Sequence, residues 1–388
     1  MRRFALGFAV LIATCAAGHA QVNKGDIIVG FDFEKTSKPW TTMDQMGQVG
    51  LTGDPEHVRA GAGSLEFKYT QRAPGDGAQG MPGSLMAPIE GGLNGVKSVR
   101  LSVKAVRQMP LVVGLNEAGG VTYTSVVWVP ADKWLDVDLP IGDFSQSLDD
   151  QHPDPKGHLD LDQVSAIILI DATPFLYALA QSGALPVSKP TFGEQTVWLD
   201  EVNFMGDAPP AEKPAHPVAD GQPIMIASCR RSFAQWAVLG GNDPSISESP
   251  DANDGPGLRV AYKNAPGTII AMFHPFASGL LQGAKQVDIS LKTAADCTIA
   301  LTFEQNLEPK PAQGDGKARF AHPIELKAAD GWKRFSLPLT EFKQDEKETP
   351  VPMNPAKFAS VILVDFTAAA TQQPVTNVLQ VDDIVGVK

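Results

Sequence analysis

Six side chains in the first half of the chain have the chemistry to hold a saccharide ring: Trp128, Tyr123, Arg100, Lys104, Asp171 and Tyr177. The flat face of Trp or Tyr packs against the C–H face of a pyranose, and charged side chains beside it take up the hydroxyls. Tyr123 and Trp128 lie in the run TYTSVVWV. If that run is a strand, odd and even positions leave on opposite faces, so at most one ring enters the core and the other is free to act as a platform. Arg100, Lys104 and Asp171 would supply the polar rim, and Tyr177 a further ring from a separate segment. Trp40/Trp236, Tyr69/Tyr262 and Trp134/Trp332 recur in pairs at matching places, and they read as core or strand-end packing. The second half offers only His274, Phe276 and Asp365 as a comparable group, so the first half is where binding is expected.

Catalysis finds no such set. No G-x-S-x-G turn offers a nucleophile and no H-E-x-x-H pair offers zinc ligands. His152 and His158 bracket a stretch with Asp149, Asp150, Asp154, Asp160 and Asp162, but the D-x-D-x-D-G register of a calcium loop is missing, and a solvated turn is expected there. Asp136 and Asp138 share a face and alternate with Leu135, Val137 and Leu139, which predicts exposure rather than a catalytic pocket. The chain is therefore expected not to be an enzyme. Nucleic acid is excluded on charge: 44 acidic against 32 basic residues give −12 at pH 7, so no basic field exists to displace phosphate counterions.

The elements that must position these residues have a period of two. SVRLSVKAV puts Val99, Leu101 and Val103 on one face and Ser98, Arg100, Ser102 and Lys104 on the other, and QVDISLKTA repeats this with Val287, Ile289 and Leu291. Further β-rich runs are bounded by Gly, Pro and Asp, in a chain with 36 Gly and 31 Pro. VSAIILIDA and FASVILVDF are apolar on both faces and predict central strands.

The text occurs twice. GSLEFKYT matches PGLRVAYK, KWLDVDLPIGDF matches GWKRFSLPLTEF, VSAIILIDAT matches FASVILVDFT, and VWLDEVNF matches LQVDDIVG, in the same order. The spacing shortens most between the last two blocks, so the first copy carries an insertion after Asp171; FLYALAQSG within it predicts a short helix. Between the copies lies GDAPPAEKPAHPVADGQP, a Pro-rich spacer. The expected organisation is a signal peptide over residues 1–20, a β-jelly-roll domain over 21–206, a linker over 207–222 and a second jelly roll over 223–388. In an extended form the linker would let the domains stand up to ~55 Å apart, enough for two independent contacts. The fold class is all-β, two tandem β-sandwich domains.

These motifs resemble the galactose-binding-like jelly roll: an opening GFDFE followed by Trp40, the mid-chain W-x-x-V/F-x-L-P-x-x-x-F, and a closing D-D/E-V/I strand. Carbohydrate-binding modules such as family 11 share it, and so does the complex I intermediate-associated protein domain. The first likeness implies a polysaccharide or glycan ligand held by the first domain. The second implies an envelope scaffold or assembly protein that binds a protein partner. The resemblance further implies a structural calcium ion joining the first strand to the last, which here would use Asp32, Glu34 and Asp200 with carbonyls near Gly61 to Ser64. In the second copy Arg230 stands at the place of Glu34 and Asp382 at that of Asp200, so a guanidinium could replace the ion.

The N-terminus carries Arg2 and Arg3, an apolar stretch over residues 4–17 and a small-residue tripeptide ending at Ala20, which reads as a cleaved secretory signal. Lipidation at Cys15 is disfavoured by the bulk of Thr14, and no later stretch predicts a membrane span. The mature chain is thus expected to be secreted or periplasmic. Cys229 and Cys297 remain, either as a disulfide or as two buried thiols.

Overall fold

The computed structural model describes residues 26–43, 47–72, 83–146, 158–182, 186–210, 222–229, 235–252, 255–307, 316–344 and 348–388. The predicted signal segment, Cys15, His152, Arg230 and most of the linker lie outside these residues. Twelve strands build the first domain. They are β1 (Ile27–Phe31), β2 (Thr41–Thr42), β3 (Gln48–Thr52), β4 (Ser64–Gln71), β5 (Ser84–Pro88) and β6 (Ser98–Ala105), then β7 (Met109–Glu117), β8 (Thr122–Val129), β9 (Leu135–Pro140), β10 (Ser145–Gln146), β11 (Val164–Asp171) and β12 (Gly193–Met205). One sheet runs β3-β4-β12-β6-β9 with β1 on β12, and the other runs β10-β8-β7-β11-β5-β2. The insertion after Asp171 is helix α1 (Thr173–Ser182).

The second domain repeats this plan with β13 (Pro223–Ala227), β14 (Ala237–Gly240), β15 (Asn242–Ala252), β16 (Gly255–Asn264), β17 (Ile270–Pro275) and β18 (Gln286–Thr293). Its second half is β19 (Cys297–Asn306), β20 (Lys317–Leu326), β21 (Lys333–Pro338), β22 (Lys343–Gln344), β23 (Phe358–Asp365) and β24 (Val375–Val387). Its sheets run β15-β16-β24-β18-β21, with β13 on β24, and β14-β17-β23-β19-β20-β22. A short α2 (Thr367–Thr371) stands where α1 stands in the first copy. The two apolar runs, β11 and β23, are interior strands of their sheets, as expected.

Alternation fills both interiors. Val99, Leu101 and Val103 from β6 meet Leu111, Val113 and Leu115 from β7 in the first core, and Val287, Ile289 and Leu291 meet Ile299, Leu301 and Phe303 in the second. Trp40, Trp236, Tyr69 and Tyr262 are buried, as their pairing in sequence implied. Each tyrosine serves the same purpose. Tyr69 Oη donates to Asp171 Oδ2 (2.7 Å) and Tyr262 Oη to Asp365 Oδ2, while the other carboxylate oxygen caps the helix that follows through Thr173 N (3.0 Å) or Thr367 N (2.8 Å). Burial, reinforced by the neighbouring carboxylate, pushes both phenol pKa values well up. Cys229 and Cys297 are buried thiols that form no disulfide; burial pushes the Cys297 thiol up to about 11, away from thiolate chemistry.

The domains touch, which corrects the picture of two bodies held apart by a spacer. Ala180 of α1 and Val187 pack with Ile269, with Tyr177, Leu239, Val364 and Phe366 around them. Ile269 N donates to Pro186 O (3.0 Å), and Gln235 Nε2 donates to Asp143 Oδ2 (2.8 Å). Gly240 permits the approach: at φ +85° it carries no Cβ, and one built there would fall 3.3 Å from the Val187 side chain across the seam. Burying the apolar insertion here offsets the ordering of its chain.

Candidate functional site

The six residues singled out in the sequence do not meet. Tyr123, 2% exposed, is in the first core, and Trp128, 4% exposed, lies on the opposite face of β8, packed into the second domain's core cluster. The alternation was therefore read correctly, but neither ring is a surface platform, because the domain seam covers the outward one. Asp171 is buried beneath Tyr69 and Gln71. Tyr177 sits in the seam, edge-on to Phe192. Only Arg100 and Lys104 share a face, the outer side of β6. There Arg100 pairs with Asp138 (2.7 Å) and Asp207 (3.0 Å), and Lys104 Nζ donates to Glu56 O (3.0 Å). Asp136 faces Arg59 through two hydrogen bonds, at 3.0 and 2.5 Å. Burial would raise its pKa, yet the bonds from Arg59 and Ser102 hold it below the ordinary aspartate value.

The acids at the implied calcium corner are engaged by the backbone. Asp200 is 0% exposed; its Oδ2 accepts from Arg59 N and Ala60 N, both at 2.9 Å, and its Oδ1 from Glu201 N at 2.9 Å. Burial, opposed by these donors, raises its pKa to about 6. Glu34 reaches Ala62 N at 3.0 Å, with room made by Gly61, whose Cβ would fall 1.6 Å from Glu34 Oε1. Asp32 accepts from Glu34 N (3.2 Å). The loop thus turns N–H donors toward Asp200 and Glu34, where a calcium shell needs oxygens, and no group of three His, Cys, Asp or Glu suited to a metal forms among the described residues. These residues do not fit the ion that the resemblance implied.

A different cluster stands on the second domain. Leu301 and Phe303 of β19 point inward, so Thr302 and Glu304 lie on the sheet's outer face. Register places Pro275, Ser360, Glu304 and Arg319 in one row across β17, β23, β19 and β20, with Phe273, Ile362, Thr302 and Ala321 in the next. Glu304, its side chain 6% exposed, accepts from Lys317 Nζ (2.5 Å), Arg319 Nε (3.1 Å) and Ser360 Oγ (2.8 Å). Burial would raise its pKa, but the charges of Lys317 and Arg319 overcome this and hold it low. Arg319 is held on its other side by Glu348 (3.1 Å), and Lys317 Nζ lies 5.9 Å from the half-buried Phe273 ring. The result is a fixed set of donors and acceptors beside an aromatic face. The alternation of CTIALTFEQ marks Glu304 as an outward acid in the middle of a sheet, a signal that the sequence carries.

No family model and no curated protein matches this chain. Among solved structures it is similar to the family 11 carbohydrate-binding module from Clostridium thermocellum in complex with a β-1,3-1,4-mixed-linked tetrasaccharide. The identity is 13% over 44% of this chain and 97% of that one, with a TM-score of 0.35. It is similar along 94% of its length to the CBM22-1–CBM22-2 tandem of Paenibacillus barcinonensis Xyn10C, covering 97% of that chain at 15% identity and TM-score 0.30. A family 30 module of the Clostridium thermocellum cellulase Cel9D-Cel44B matches at 9% identity over 43% of this chain and 98% of that one, TM-score 0.30. These neighbours are carbohydrate-binding modules. At such values the likeness carries no argument about function, and the fold rests on the strand order itself.

Proposed function

We propose that this is a secreted, non-catalytic carbohydrate-binding protein whose second domain holds a polysaccharide on the outer face of the β17-β23-β19-β20 sheet. The observation that carries it is the Glu304 row. A carboxylate locked by three donors and a guanidinium clamped between two acids present fixed hydrogen-bonding groups to sugar hydroxyls, and Phe273 offers an apolar face beside them. The charges balance, so the reading is of a neutral sugar chain. Affinity electrophoresis of the full chain against β-glucan, xylan, mannan and agarose tests it. Retardation by one of these polymers, weakened in Phe273→Ala and in Arg319→Ala, is expected; unretarded migration in every gel by folded protein would overturn it.

A further inference from the structure

Trp198 is an aromatic residue that the repeat does not duplicate. On the outer face of the first domain's other sheet, register aligns Lys104, Trp198, Glu66 and Gly50 across β6, β12, β4 and β3. The matching row of the second domain is Lys292, Gln380, Arg259 and Ser247, and there Gln380 Oε1 simply accepts from Ser249 Oγ (2.7 Å). A glutamine satisfies the fold at this position, so the indole is not a requirement of packing.

What surrounds Trp198 is the chemistry of a ring platform. Lys104 Nζ lies 5.5 Å from the ring, and the indole N–H donates to Glu66 Oε1 (3.3 Å), while Glu66 Oε2 meets Lys68 Nζ (2.6 Å). Past Glu66, a Cβ on Gly50 would meet nothing within 4 Å. The ring itself is 5% exposed because the His57 imidazole lies flat on it, centroids 3.8 Å apart and planes 13° apart. His57 belongs to the 3-10 turn Pro55–His57, which is held through its main chain: His57 N donates to Asp54 O (2.8 Å), and Ser64 Oγ donates to His57 O (2.5 Å). Among the described residues the imidazole's side-chain hydrogen-bond partner is Lys104, with Nζ 3.4 Å from Nδ1. Rotation about its χ1 therefore uncovers the indole without moving the turn.

We infer that Trp198 is a second saccharide-ring platform, in the first domain, with Lys104 and Glu66 as its polar rim and His57 lying in the ligand's place when no sugar is bound. This rests on the carbohydrate reading and adds a site on a different sheet. A pyranose would stack its C–H face on the indole and direct hydroxyls to the ammonium and the carboxylate.

The test uses the full chain carrying Phe273→Ala, which silences the second domain's face. It is titrated calorimetrically with cellohexaose, xylohexaose, mannohexaose and chitohexaose. One of these is expected to bind; His57→Ala then binds about threefold to tenfold tighter, because the competing stack is gone, and Trp198→Gln loses about tenfold. Trp198→Gln brings in the second domain's own residue, and should it melt early, Glu66→Gln weakens the rim without touching the stack. Unchanged affinity in His57→Ala and in Trp198→Gln or Glu66→Gln overturns the inference. Binding in wild type that Phe273→Ala abolishes entirely would remove the Trp198 site alone, whereas silence in wild type would remove the carbohydrate reading itself.

Discussion

The two domains share an interior and differ on their outer faces. In the sheet that holds β7 or β19, the first domain's row is Pro88, Ala166, Asn116 and Thr122, where the second has Pro275, Ser360, Glu304 and Arg319. In the other sheet the order is reversed: Lys104, Trp198 and Glu66 in the first domain face Lys292, Gln380 and Arg259 in the second. Matched cores and matched Tyr–Asp pairs keep the sandwich standing, while each copy has put a polar, aromatic cluster on a different sheet. Duplication freed the outer faces to diverge, because only the inward positions are constrained by packing.

The buried networks give the largest contrasts. Glu304→Leu removes the buried carboxylate shared by Lys317, Arg319 and Ser360, with Arg319 keeping Glu348, and is expected to cost the second domain about 3 kcal/mol, whereas Asn116→Leu at the matched place in the first domain costs under about 1 kcal/mol; chemical denaturation followed by domain-specific tryptophan signals measures both. Next come the tyrosines. Asp171 keeps Gln71 Nε2 and Thr173 N when Tyr69 is cut to Phe, and Arg107 donates to Gln71 Oε1 (3.1 Å) behind it. In the second domain Asn264 and Ala295 replace Gln71 and Arg107, leaving Asp365 with Thr367 N. Tyr262→Phe is therefore expected to cost about 2 kcal/mol and Tyr69→Phe about 1 kcal/mol by the same denaturation assay.

Acid should separate the domains more gently. Glu304 has its pKa lowered in the fold, so its contribution is present above the unfolded value of about 4.3 and is lost as pH falls through the lower folded value. The second domain is expected to lose melting temperature more steeply than the first below pH ~4.3, and Glu304→Gln to flatten that slope. The smallest effect expected is from calcium. With backbone N–H groups on Asp200 and Glu34, neither added calcium nor chelator should shift the melting of the first domain; a rise with calcium would mean that the loop inverts to offer its carbonyls.

The sandwich pair was legible because alternation and a fourfold block match are long-range patterns that survive without a structure. Residues such as Val99, Leu101 and Val103 went where their parity sent them, and FLYALAQSG became α1. The binding face was not legible in the same way. Trp128 has the parity of a surface ring, but the insertion helix and Gln235 bring the second domain over that face, a tertiary event that strand periodicity does not encode. Trp198 was visible in the comparison of VWLDEVNF with LQVDDIVG, where an indole faces a glutamine; its significance depends on His57 lying over it, and that stack joins residues far apart in sequence.

Site-resolved NMR of the full chain with a polysaccharide fragment retained in the gels tests the central claim most directly, following Arg319 Nε–H and the indole N–H of Trp198 and Trp128. The account predicts that the Arg319 and Trp198 signals move on titration while the buried Trp128 indole stays still. A shift at Trp128 with Arg319 and Trp198 unmoved would contradict it, placing the ligand at the seam rather than on the faces where the domains differ.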